Sequence, residues 1–79
     1  MTITLYSSNP NCQPCRLTKA KLARLGLDYA EASPTDEVMA TVRALGLELT
    51  APIVQAGDDI WTGFRPDRID ALASAINAA

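Results

Sequence analysis

The sequence contains no histidine, and its aromatics are a single Trp, a single Phe and two Tyr. Without imidazole, Ser-His-Asp and Cys-His catalysis are excluded, as is the commonest metal ligand. Cysteine is scarce too: two in 79 residues. Small secreted domains are usually stapled by several bridges, whereas this chain can close only one, so a structural disulfide framework is excluded. Charge of either sign is modest. Seven Lys and Arg stand against nine Asp and Glu, a formal net charge of −2, and the basic residues form no stripe. Nothing therefore points to nucleic acid. No apolar run approaches the ~18 residues of a membrane span. Met1-Thr2-Ile3-Thr4-Leu5-Tyr6 lacks the basic start and long apolar stretch of a secretory signal. The expected setting is cytoplasmic, with no membrane and no nucleic-acid partner.

What is present is compact and patterned. Hydrophobic residues make up 48% of the chain, which argues against disorder and for one domain over residues 1–79. Thr2–Ser7 alternates, with Ile3 and Leu5 on one face, and reads as a strand. Ser8-Asn9-Pro10-Asn11 is a cluster of turn formers. A helix is expected from about Gln13 to Leu25, with Pro14 in its first turn, Leu17, Ala20, Leu22 and Leu25 as its apolar side, and Gly26 as its stop. Leu27–Ala32 reads as a second strand. Ser33-Pro34-Thr35-Asp36 reads as a helix start capped by the Ser, and Val38, Val42 and Leu45 are its expected core positions before Gly46. Pro52 precedes the strand Ile53–Ala56. Gly57-Asp58 suits a two-residue hairpin into Asp59–Thr62. Phe64-Arg65-Pro66-Asp67 opens a last helix with Ile69, Leu72, Ala73 and Ile76 inward. The expected fold is α/β, in the order βαβαββα, with a parallel first pair and an antiparallel final hairpin.

The residues with the most chemistry are Cys12-Gln13-Pro14-Cys15, between the first strand and first helix. Three residues are nearly one helical turn, so both sulfurs reach one face and a bridge opens and closes without moving the backbone. At a helix N-terminus, unpaired amides and the dipole favour a thiolate. Cys12 is expected as the exposed nucleophile that attacks a substrate disulfide, and Cys15 as the resolving thiol that releases reduced substrate. A structural bridge at this spacing would close almost no loop and gain little. A zinc site would lack two of its four ligands.

With these elements and a later Ala51-Pro52 in place, the chain resembles the thioredoxin fold, and within it the NrdH-redoxin family. The stretch Trp61-Thr62-Gly63-Phe64-Arg65-Pro66-Asp67-Arg68-Ile69 is similar to that family's W-S-G-F-R-P-D-[KR]-I signature. Ala44-Leu45-Gly46 and the segment from Ala51 to Asp58 are similar as well. Gln13-Pro14 departs from the Val-Gln or Met-Gln common between the family's cysteines. The resemblance implies a thioredoxin-like four-stranded mixed sheet with three helices and a cis Ala51-Pro52 bond facing the cysteines. It further implies a monomer with no bound cofactor, whose Cys12–Cys15 pair is reduced by thioredoxin reductase, with NADPH as ultimate donor. The implied client is the large subunit of class Ib ribonucleotide reductase. The protein would then be an electron carrier in deoxyribonucleotide synthesis.

Around the pair, Gln13, Pro14, Thr50, Ala51 and Pro52 are candidate partner-binding residues, since a cis turn would offer Ala51 backbone groups to an extended client. Thr50 alternatively serves local turn bonding. Trp61 is either core or recognition surface. Phe64, following Gly63, is expected exposed for a protein partner, or else forms a hydrophobic staple. Arg65 and Arg68 either steer an acidic partner or bond to Asp67 and Asp70. Two other functions stay open. A glutathione-dependent glutaredoxin has the same length and order, but binds the γ-glutamyl carboxylate behind a bare Gly-Gly turn at the last helix. Here Pro66 lacks an amide hydrogen and Phe64 adds bulk. The other alternative is a non-catalytic or metal-cluster-bridging module, which would leave the two-thiol system unused.

Overall fold

The computed structural model describes residues 2–7 and 11–77. The expected turn residues Ser8, Asn9 and Pro10 lie outside these. The elements are β1 (Ile3–Tyr6), α1 (Gln13–Arg24), β2 (Ala30–Ala32), α2 (Asp36–Ala44), β3 (Ile53–Ala56), β4 (Asp59–Thr62) and α3 (Pro66–Asn77). They form one mixed sheet in the order β2-β1-β3-β4. β1 pairs parallel with β2 and antiparallel with β3, and β3 pairs antiparallel with β4. The order and pairing are those expected.

Strand parity sets the two faces of the sheet. Leu5 is level with Val54, and Val54 with Trp61. These three join Ile3 and Ala56 in a core cluster with Leu22 of α1 and Ile69, Leu72 and Ala73 of α3. α1 and α3 therefore share one face. α2 covers the other, where Tyr6, Gln55 and Ile60 line a cleft with Val38 and Thr41.

The inward side of α1 differs from the expected one. Its buried residues are Cys15, Thr18 and Leu22, whereas Leu17 and Leu25 are 44% and 37% exposed and Ala20 is exposed. Thr18 is compatible with the core because its hydroxyl donates to the carbonyl of Pro14 at 2.8 Å, satisfying the polar group within the helix. A count of apolar residues does not register such a position.

Both early helices end alike. At α1, the amide of Gly26 donates to Ala23 O and that of Leu27 to Leu22 O, with Gly26 at φ +71. This is the Schellman pattern, and only a residue tolerant of positive φ closes it well. It explains why β2 is shorter than expected: Leu27 is committed to the turn and buried under it, so pairing starts at Ala30. At α2 the same pattern runs from Gly46 to Arg43 and from Leu47 to Val42. The turn leaves Leu45 58% exposed, not in the core as its i+7 spacing suggested.

The cap of α2 is Thr35, not Ser33. Its hydroxyl accepts from the amide of Val38 at 3.1 Å. Pro34 thus precedes the cap, and Asp36 and Glu37 occupy the first turn, where the helix dipole favours acids. Thr35→Ala is expected to cost about 1 kcal/mol. Thermal unfolding followed by circular dichroism should then show Tm lowered by about 4–8 °C, while Ser33→Ala should leave it unchanged.

Candidate active site

Cys12 is the N-cap of α1, a position usually held by Ser, Thr, Asp or Asn. Its sulfur takes the place of their oxygen: the amide of Cys15 donates to Cys12 Sγ at 3.2 Å. The Cys12 carbonyl accepts from the amide of Arg16, starting the helix. Pro14, in the first turn, costs no hydrogen bond there. A thiolate at Cys12 is thus placed where an anion is favoured by both an amide and the helix dipole.

The two cysteines are joined as a disulfide, with Cα atoms 5.2 Å apart. Cys12 is 8% exposed and Cys15 2%. The expectation that Cys12 stands exposed is corrected in degree. It is the more accessible residue of the pair, but both lie largely covered, because the cap position tucks Cys12 against the start of α1. Gln13 and Pro14 are exposed between them. On its inner side, Cys15 Sγ lies 3.1 Å from the hydroxyl of Ser7, the residue after β1.

The Ala51-Pro52 bond is cis, as the resemblance implied. Pro52 is fully buried, and its carbonyl accepts from the amide of Gly63 at 2.8 Å. That contact ties the loop before β3 to the loop after β4. Gly63 sits at φ +78 with Thr50 Oγ1 3.8 Å from where a Cβ would stand, so its backbone, more than lack of space, requires glycine. Thr50 is exposed and Ala51 half-buried. Ser7, Thr50 and Ala51 line one cleft of about 310 Å³, with Tyr6, Met39 and Leu49 among its other walls. The cleft runs from Ser7 to the loop that precedes the cis-proline.

The signature segment divides. Trp61 is 3% exposed and belongs to the core, which rules out its reading as recognition surface. The Arg68 guanidinium lies 5.3 Å from the centre of its ring, a cation–π contact. Phe64 is half-buried and packs on the same core, so the exposed aromatic expected there is corrected. With that core already offering an apolar surface, its ring gains more by packing on it than by standing in water. Arg65 is exposed and donates through Nε and Nη2 to the two carboxylate oxygens of Asp67, at 3.3 and 3.2 Å. That contact, with the amide of Arg68 adding to it, holds the Asp67 carboxyl below its ordinary range. Asp70 pairs not with Arg68 but with Lys21 of α1, at 3.1 Å.

Ser7 is the functional candidate that the pattern of motifs did not single out. The signal was present: positions 3, 5 and 7 share one parity, and the third is a polar residue aimed at the side where α1 packs. Among the described residues, no group of three or more His, Cys, Asp or Glu could hold a metal ion, and no helix is long and apolar enough to cross a membrane.

Comparison with known proteins agrees with this geometry. No family model matches the chain. The glutaredoxin-like protein NrdH of Salmonella typhimurium is 37% identical, covering the whole chain and 98% of the relative. That of Escherichia coli is 38% identical with the same coverage, and that of Lactococcus lactis 30% over 90% of the chain and 99% of the relative. Among solved structures, Escherichia coli NrdH-redoxin, described as having a thioredoxin-like activity profile, superposes with a TM-score of 0.74 at 38% identity, covering 91% of this chain and 95% of that one. A glutaredoxin from Archaeoglobus fulgidus gives 0.63 at 20% identity, over 89% of this chain and 83% of that one, a likeness of fold. With its thioredoxin-like fold and its paired cysteines at the start of α1, the chain belongs to the NrdH-redoxin family of glutaredoxin-like thiol–disulfide redox proteins.

Proposed function

We propose that residues 1–79 act as one cytoplasmic domain that carries electrons from thioredoxin reductase, and ultimately NADPH, to protein disulfides, with the large subunit of class Ib ribonucleotide reductase as client. Cys12 is the attacking thiolate and Cys15 the resolving thiol. The observation that supports this most is the amide of Cys15 donating to Cys12 Sγ at the N-cap of α1. It favours the charged form of one sulfur and leaves the deeper one to close the ring.

The start of α3 supports the choice of donor. An open helix N-terminus would offer amides to the γ-glutamyl carboxylate of glutathione. Here Pro66 has no amide hydrogen, and Asp67 places the chain's own carboxylate in the first turn. Held there by Arg65, that carboxylate occupies the first turn that an incoming carboxylate would need. Ala51 makes no hydrogen bond within the described residues, which leaves its backbone groups for an extended client segment. Thr50 and the exposed Gln13-Pro14 edge flank the same approach. Phe64 packs on the core, Gly63 is tied to the Pro52 carbonyl, and Arg65 contributes chiefly through Asp67.

A coupled assay tests this directly. With thioredoxin reductase, NADPH and a protein disulfide, NADPH oxidation should proceed at a rate set by the amount of redoxin. With glutathione and glutathione reductase it should be at least about tenfold slower, the discrimination that ~1.4 kcal/mol provides. The opposite ranking would replace this donor with glutathione and make the protein a functional glutaredoxin.

A further inference from the structure

Ser7 is anchored more firmly than a residue at a strand end needs to be. Its amide donates to the carbonyl of Ala32 at 3.0 Å, extending the β1–β2 pairing by one bond. With the backbone held, its hydroxyl is directed at Cys15 Sγ, 3.1 Å away. In the disulfide that sulfur has no proton, so the hydroxyl is the donor. The two sulfurs thus have separate donors: an amide for Cys12 and a hydroxyl for Cys15.

No charged side chain does this work. Among the described residues, none bonds to either sulfur. On α1, Arg16 is exposed and Lys19 is paired with Glu31 of β2 at 2.6 Å. β1 ends in Tyr6, and the proline loop contributes Thr50, Ala51 and Pro52, none charged, after an exposed Glu48. A thiol that is 2% exposed must nevertheless lose its proton before it can attack.

We propose that Ser7 is a further catalytic residue, which donates its hydroxyl hydrogen bond to the Cys15 thiolate as that thiolate forms in the resolving step. The proposal rests on Cys12 attacking first. The Cys12 thiolate attacks a client disulfide, forms Cys12–S–S–R and expels one thiolate. Cys15 then gives its proton to solvent, with Ser7 holding the resulting charge. Its sulfur attacks Cys12 Sγ, closes the Cys12–Cys15 disulfide and expels the second thiolate. Two electrons pass from the dithiol to the client, and Ser7 keeps its own proton throughout.

Rapid mixing of the reduced protein with an aromatic disulfide that releases a coloured thiolate resolves the two steps as two phases. A hydrogen bond to a charged acceptor exceeds one to a neutral acceptor by roughly enough to shift the thiol's midpoint by about one pH unit. Ser7→Ala should therefore raise the midpoint of the second phase by that amount. Because nucleophilicity rises with basicity, the second phase should be about threefold slower near neutral pH and about threefold faster at the alkaline limit. The first phase should be unchanged, and Ser7→Thr should restore the wild-type profile. A second phase slowed equally at every pH, or not altered at all, would overturn the role of Ser7. Mass spectrometry of the first-phase adduct separates this from the parent assignment. An adduct on Cys15 would overturn the order of attack itself, and the Ser7 proposal with it, whatever Ser7→Ala does.

Discussion

Cys12→Ser is expected to lower protein disulfide reduction by at least about a thousandfold, the scale on which loss of a nucleophile acts. A serine hydroxyl at the N-cap would still accept the Cys15 amide, so the helix start and the fold should survive. Cys15→Ser should behave differently. Its Cys12 still attacks, but nothing one turn inside displaces the adduct, so a mixed disulfide accumulates and is visible as a mass increment on Cys12. The two variants thus fail at different points, one before covalent capture and one after. If Cys15→Ser retained full turnover with protein disulfides, the resolving role would be wrong and the protein would work through a single thiol.

The largest expected effect on stability comes from Leu5→Ala. β1 is flanked by strands on both sides, and Leu5 has no exposed surface. It sits level with Val54 and packs in the cluster that joins α1 and α3. Truncation removes buried methyl groups and leaves a void that sheet pairing on both sides keeps from collapsing, costing about 2–5 kcal/mol. A domain of this size has only roughly 4–12 kcal/mol in total. The urea midpoint should fall by at least about a sixth, and Tm by at least about 8 °C. Truncating Leu17, which is 44% exposed on α1, serves as the control and should change stability by less than about 0.5 kcal/mol. Equal losses from the two would contradict the inward face assigned to α1.

These two experiments probe different levels of legibility. The cysteine pair was visible in the sequence because its chemistry is local: a three-residue spacing and a helix start bring two sulfurs together with no help from the rest of the chain. Strand parity was visible for a similar reason, since Ile3 and Leu5 differ from their neighbours. The face of α1 was not. Thr18 reads as polar until its hydroxyl is seen bonded to Pro14, and Leu17 reads as core until α3 is seen packing elsewhere. Phe64 was misplaced on the same ground. Its exposure depended on whether the core cluster formed a surface for it to pack on, and the strands and helices that build that cluster meet only in the folded chain.

The sequence by itself therefore determined the order of elements, the inward face of β1 and the redox pair at the head of α1, because all three follow from contacts within a turn or a strand. Tertiary structure alone decided what surrounds that pair. The Ser7 hydroxyl beside Cys15 links the end of a strand to a residue eight positions on. The Pro52 carbonyl is tied to Gly63 across a hairpin. Such contacts depend on where separate elements come to rest when they bury one shared core, and no short window of residues encodes that.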